Sequence, residues 1–260
     1  MRIKIGKKIL GSGRPVFIVA ELSANHNLDF NVAARTIKAM KAAGADAVKV
    51  QTYTPDTITL NCAGPAFRIN HGTLWDGQTL YGLYKKAHMP WDWQPKLKKL
   101  AEKLGLVFFS SPFDFTAVDF LEKMKAPAYK IASFEINDIP LIEYAASKGK
   151  PMILATGVAR REEIKAAVAA CRRAGNRNII ALKCTSAYPA PYEAVNLALM
   201  VDMAKRFGVI TGLSDHTPGI AVPIAATAMG AAVIEKHFIL DRKLGGPDAA
   251  FSLEPAEFRA

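Results

Sequence analysis

The chain has 260 residues, 50% of them hydrophobic and 22% charged, enough to bury a large α/β core. Lysine and arginine outnumber aspartate and glutamate 34 to 23; this suits a small anionic substrate, and nucleic-acid binding is not expected because the basic residues form no aromatic-interleaved stripe. No run reaches the ~18 apolar residues of a membrane span and no signal-type segment follows Met1; Cys62, Cys171 and Cys184 lack CxxC spacing, so a reduced, cytoplasmic protein with no membrane partner is expected.

Residues 2–10 alternate polar and apolar and predict an N-terminal hairpin, within residues 1–12, that turns at Gly6-Lys7. A regular alternation follows. Strands are predicted over 16–21, 47–51, 106–110, 128–133, 151–156, 178–184, 209–213 and 232–238. The helices between them are predicted over 30–43, 91–104, 117–124, 140–147, 161–174, 193–207 and 218–229, most ending at a glycine suited to the left-handed C′ position. The connection 53–90 is long, carries Trp75, Tyr81 and Tyr84 and a short helix over 80–87, and suggests a lid or binding loop. Eight strands alternating with helices predict a (β/α)8 TIM barrel over 1–260. The runner-up, an open doubly wound sheet, lacks a GxGxxG after its first strand. The sequence stops at Ala260, just inside the expected eighth helix, so the barrel is expected to be truncated there, leaving apolar surface on strands 8 and 1 uncovered.

The carboxyl ends of barrel strands build active sites, so the polar residues there are the candidates. They include Glu21, Lys49, Gln51, Ser111, Lys130, Ser133, Glu135, Thr156, Lys183, Ser186, Tyr188, Ser214, His216 and His237. His216 and His237 close neighbouring strands and make a plausible pair of ligands for a divalent metal with open positions; two buried histidines satisfied by backbone are the bland alternative. Lys49, Lys130 and Lys183 interrupt apolar strands, where a lysine is costly unless paired. Together they favour a pocket for phosphate or carboxylate; structural ion pairs and a Schiff-base lysine stay open beside that reading. His26 is a weaker candidate for lining the site, and His71 and His88 are expected on the surface or the lid.

With these residues assembled, the chain resembles the sialic acid synthase family, the phosphoenolpyruvate-condensing nonulosonate synthases. The resemblance spans the sequence and rests on Ala20–His26 (Ala-Glu-Leu-Ser-Ala-Asn-His), Val48–Thr52, Phe109–Phe113, Ala128–Ser133, Gly212–Thr217 and Glu235–Phe238. The blocks at Glu21–His26, Gln51–Asp56 and Leu74–Asp76, the last with Tyr81, Tyr84 and Pro90-Trp91 downstream, look most like the pseudaminic acid branch. The resemblance implies a transferase that condenses phosphoenolpyruvate with an open-chain acetamido sugar, 2,4-diacetamido-2,4,6-trideoxy-L-altrose in that branch, and releases phosphate. The N-acetylneuraminate and legionaminate synthases are the alternatives within the family, and a Schiff-base aldolase or a non-catalytic barrel those outside it. By motif position His216 and His237 hold Mn²⁺ or Mg²⁺, while Lys49, Ser111, Lys130, Ser133, Ser186 and Ser214 hold phosphoenolpyruvate. Glu21, Gln51, Glu135, Tyr188 and Asp248 fall near the metal or the sugar. Two departures stand out. Ala155 replaces a common phosphate-binding serine, so Thr156 and backbone amides are expected to serve, and the family's C-terminal antifreeze-like domain is expected to be missing. A homodimer is expected.

Overall fold

A computed structural model describes all 260 residues. Strands β1 (Arg2–Ile5) and β2 (Lys8–Gly11) pair antiparallel as the hairpin, with Gly6 at positive φ in the turn. Eight parallel strands then close a barrel: β3 (Phe17–Glu21), β4 (Ala47–Thr52), β5 (Val107–Pro112), β6 (Tyr129–Ile131), β7 (Met152–Ala155), β8 (Ile179–Cys184), β9 (Ile210–Asp215) and β10 (Val233–His237). The sheet runs in chain order, and β10 returns to pair with β3.

The crossover helices are α1 (Phe30–Ala42), α4 (Gln94–Lys103), α5 (Phe115–Lys123), α6 (Ile139–Ser147), α7 (Arg161–Arg173), α8 (Ala198–Phe207) and α9 (Ala221–Ala228), and α10 (Pro255–Arg259) follows β10. α2 (Pro55–Ile58) and α3 (Leu80–Ala87) lie in the long connection. Asp29 starts α1 by accepting from the amides of Asn31 and Val32, and Asp114 starts α5 by accepting from Ala117. The helix predicted over 193–207 is broken. A 3₁₀ turn at Tyr192–Ala194 is followed by Asn196 at φ 41°, a left-handed residue that a continuous helix does not contain.

The barrel interior holds one apolar layer of Phe17, Val19, Ala47, Phe109, Ala128, Ile153, Ile180, Leu182, Ile210 and Val233. Ile3, Ile5 and Leu10 of the hairpin join the same cluster and plug the amino-terminal end. This layer fixes the phase of every strand, because alternate residues face opposite sides. Going up each strand in steps of two reaches Glu21, Lys49 and Gln51, Ser111, Lys130, Cys184, Ser214 and His216, and Glu235 and His237. The opposite phase meets the helices. An apolar groove lined by Ile18, Ile224, Ile234 and Phe258 runs between α9 and α10 outside β3 and β10. No helix is long and apolar enough to cross a membrane.

Candidate active site

Two basic and two acidic side chains meet directly above the apolar layer. Lys49 Nζ lies 2.7 Å from Glu21 Oε2 and 3.3 Å from Glu235 Oε1, and Lys130 Nζ lies 3.8 Å from that same Glu235 oxygen. Ser214 Oγ donates to Glu235 Oε1 at 3.2 Å. All five residues are buried. Burial pushes the Glu21 carboxyl up to about 7, with Lys49 offsetting part of that effect and Glu235 adding to it. Burial would raise Glu235 as well, but Lys130 and Lys49 outweigh it and hold that carboxyl below its ordinary value. Burial outweighs Glu235 at Lys130, whose ammonium falls below its usual range; at Lys49 the two glutamates outweigh burial and raise it.

Beside this cluster the loops after β6, β7 and β8 form a tight cradle. Gly157 N donates to Ser133 Oγ at 3.2 Å. A Cβ at Gly157 would overlap Ser186 Oγ and come within 2.9 Å of Ser133 Oγ and 3.1 Å of Cys184 Sγ, so a larger residue would displace these side chains. Ser186 Oγ and Ser111 Oγ are buried with no hydrogen-bond partner, as are Glu21 Oε1, Glu135 Oε2 and Glu235 Oε2. Each such atom costs about 1–3 kcal/mol if it stays unpaired, so hydroxyl and carboxyl groups converging on one space argue for a polar ligand there. Burial raises the Glu135 carboxyl to about 7.

On the other side stand the two imidazoles. His216 Nδ1 donates to the Thr185 carbonyl at 2.9 Å, which leaves Nε2 as the nitrogen available to a metal. His237 Nδ1 is buried and unpartnered, 3.8 Å from Asp248 Oδ2, and burial, reinforced by His216 and the nearby lysines, holds the ring neutral. The ring centroids lie 5.4 Å apart. No three His, Cys, Asp or Glu side chains converge on a metal position. Burial would lower His216, but Cys184, the Thr185 carbonyl and Glu235 outweigh it and raise that ring above its ordinary value, so it must give up a proton before it can ligate. With that proton gone the two imidazoles fit a divalent ion in an open site that keeps positions for water or substrate, and they do not make a closed structural cage. Tyr188 stacks on His216 at 4.2 Å, Phe251 packs 5.0 Å from both Tyr188 and His237, and Asp248 accepts from the Ala24 amide. Gln51 Nε2 donates to Ser23 Oγ at 3.1 Å.

The long connection closes one side of this mouth. Trp75 Nε1 donates to the Pro247 carbonyl at 2.9 Å and its ring lies 5.9 Å from Tyr188. Asp76 holds the loop tip by accepting from the amides of His71, Gly72 and Thr73.

Most of the sequence candidates converge here, and two do not. Leu182 belongs to the interior layer, so its neighbour Lys183 faces the helices, where Nζ donates to the Cys184 carbonyl and Thr185 Oγ1. Thr156 also faces outward: its hydroxyl donates to the Leu182 carbonyl, 3.8 Å from the sulfur of Met203 on α8. The Thr156 hydroxyl therefore does not stand in for the serine that Ala155 replaces; Gly157, two residues on, is what reaches the cradle. His26 is buried against Trp93, with Nδ1 accepting from the Leu28 amide; His71 is exposed and His88 is half-buried. Sequence reasoning left Glu235 and Cys184 without a role. Glu235 shares the inward phase of His237, a signal that was available. Cys184 Sγ lies 3.8 Å from His216 Nδ1, and although burial raises the thiol, His216 more than offsets this and brings it to about 7.

A model described as the NeuB family matches residues 36–260. The pseudaminic acid synthase of Helicobacter pylori is 52% identical over 247 residues, which are 95% of this chain and 72% of that protein. A pseudaminic acid synthase of Campylobacter jejuni is 46% identical over 95% of this chain and 72% of its own length. The crystal structure of the N-acetylneuraminic acid synthetase of Leptospira borgpetersenii, in complex with citrate, superposes with a TM-score of 0.89 at 33% identity, covering 100% of this chain and 85% of that one.

Proposed function

This chain belongs to the NeuB family, and we propose that it carries out the pseudaminic acid synthase reaction: phosphoenolpyruvate condenses with 2,4-diacetamido-2,4,6-trideoxy-L-altrose and phosphate leaves. The observation that carries this reading is the pairing, in one mouth, of a lysine–serine anion cradle with two adjacent imidazoles. The identity to two bacterial pseudaminic acid synthases supports the choice of sugar.

In this reading Lys49 and Lys130 neutralise the phosphate and carboxylate of phosphoenolpyruvate, and Ser111, Ser133, Ser186 and Ser214 donate to their oxygens. Gly157 lets the donor's phosphate come close to the loop backbone. Lys183 and Thr156 support the strand ends from the outer side. His216 and His237 would hold a divalent ion, Mn²⁺ or Mg²⁺, which would supply Lewis acidity toward the aldehyde. C3 of phosphoenolpyruvate forms the new bond to the aldehyde carbon, water adds at C2, and the C2–O bond to phosphate breaks. Glu21 and Glu135, both raised to about 7, are matched to taking and returning the protons of that water and alkoxide near neutral pH. Gln51, Tyr188 and Asp248 orient the sugar beside the imidazoles. Localisation in the cytoplasm and a homodimer complete the proposal.

The test is phosphate release from phosphoenolpyruvate with the diacetamido sugar, with Mn²⁺ and then with EDTA. Release that needs both the sugar and the metal supports the reading. Sugar-independent release, release unaffected by EDTA, or borohydride trapping of pyruvate on Lys130 would overturn it.

A further inference from the structure

A second buried ion pair lies on the opposite face of the strands that carry the two histidines. Asp215 and Lys236 are direct cross-strand partners of β9 and β10, and both point outward, away from the mouth. Lys236 Nζ donates to Asp215 Oδ2, and at 2.6 Å to the Thr217 carbonyl. Asp215 Oδ1 accepts from the Thr217 amide at 3.0 Å, and Thr217 Oγ1 lies 2.9 Å from both carboxylate oxygens. All three residues are buried.

His216 is therefore the middle residue of a turn closed by the Asp215 side chain, and Lys236 grips that turn on both sides of it. His237 follows Lys236 directly. Because Lys236 and Asp215 are in register, the next row places His237 opposite His216 on the inner face, at a strand spacing of about 4.8 Å. The 5.4 Å between the rings matches this row. We infer that Asp215, Lys236 and Thr217 are positioning residues for the metal pair: they fix the separation and direction of the two imidazoles without touching substrate. The inference rests on the metal reading of His216 and His237 given above. Outer partners of metal ligands commonly carry about 10–100-fold in affinity. A pair that only stabilised the fold would leave that affinity alone.

The test uses Mn²⁺ alone, titrated into the chain with the free ion followed by EPR. In Asp215→Leu/Lys236→Met, an apolar pair of similar volume is tolerated by many buried sites. Its Mn²⁺ affinity is expected to fall about tenfold or more, while phosphoenolpyruvate affinity without metal stays within about twofold. Thr217→Val keeps both charges and removes one hydroxyl; its Mn²⁺ affinity is expected to fall about threefold in a chain with unchanged near-ultraviolet circular dichroism. Thr217→Val decides alone if the double variant does not fold. Parental Mn²⁺ affinity in a folded variant would overturn the inference. A parent chain that binds no Mn²⁺, Mg²⁺ or Co²⁺ would instead overturn the metal reading on which it stands.

Discussion

The strand ends hold two buried charge clusters of opposite character. Outside β9 and β10, Asp215, Lys236 and Thr217 satisfy one another completely, and neither charged group keeps a spare buried atom. Inside the mouth, Glu21, Lys49, Lys130 and Glu235 are equally buried, yet Glu21 Oε1, Glu235 Oε2 and the nearby Ser111 and Ser186 hydroxyls have no partner. Burying a charge is costly in both places. Only the inner cluster leaves that cost partly uncompensated: its serine hydroxyls are free to donate to the oxygens of a ligand, and its spare carboxylate oxygens are free to accept from donor groups. A closed network holds the structure, and an open one is built for something that arrives.

Removing one inner lysine breaks this contrast most severely. Lys49→Met leaves Glu21 unpaired beside Glu235, which keeps only Lys130 and the Ser214 hydroxyl, and is expected to cost about 3–5 kcal/mol of stability, read from urea unfolding. Phosphate release in the same variant is expected to fall by about 10³-fold. A destabilised but fully active Lys49→Met chain would show that the inner cluster is merely structural.

Loss of a ligand comes next. His237→Ala is expected to lower the rate about 10²-fold or more with little loss of stability, because several kcal/mol of transition-state stabilisation goes with the metal. Steady-state phosphate release and Mn²⁺ binding by EPR check both parts.

A smaller effect concerns pH. Burial raises Glu135 to about 7 from an ordinary 4.5, so the folded chain holds this proton more tightly than the unfolded one. Its contribution to stability is full below pH ~4.5 and is lost as pH rises through about 7. The parent's urea midpoint should therefore decline between about pH 5 and 8, and Glu135→Gln should decline less. Parallel declines would contradict the assigned environment.

The smallest effect is expected outside the mouth. Lys183→Met and Thr156→Val should change kcat/KM by less than about threefold, because neither side chain faces the cradle. A hundredfold loss in either would return it to the site.

Those two positions mark where the sequence stopped being legible. The barrel itself was readable from eight apolar runs separated by helices and glycines, and the hairpin from its alternation. Lys49 and Gln51 stand two residues apart in one strand, so period two places them together, and they do share the inner face. β8, Ile-Ile-Ala-Leu-Lys-Cys, is buried on both faces and carries no polar alternation, so nothing local says whether Lys183 or Cys184 points inward. The layer containing Leu182 settles it. The phase of Asp215 and Lys236 was hidden in the same way, since charged or polar residues stand on both faces of Ser214–His216 and Glu235–His237. The break at Asn196 had no apolar signature, since residues 193–207 keep a helical pattern across it.

The central claim is that the inner cluster receives phosphoenolpyruvate while the outer one only supports the strands. Equilibrium binding of phosphoenolpyruvate, without metal, to Lys130→Met and to Asp215→Leu/Lys236→Met compares the two directly. The account predicts that Lys130→Met loses at least about a hundredfold in affinity and that the outer variant stays within about twofold of the parent. Equal losses in both, or retained binding in Lys130→Met, would contradict it.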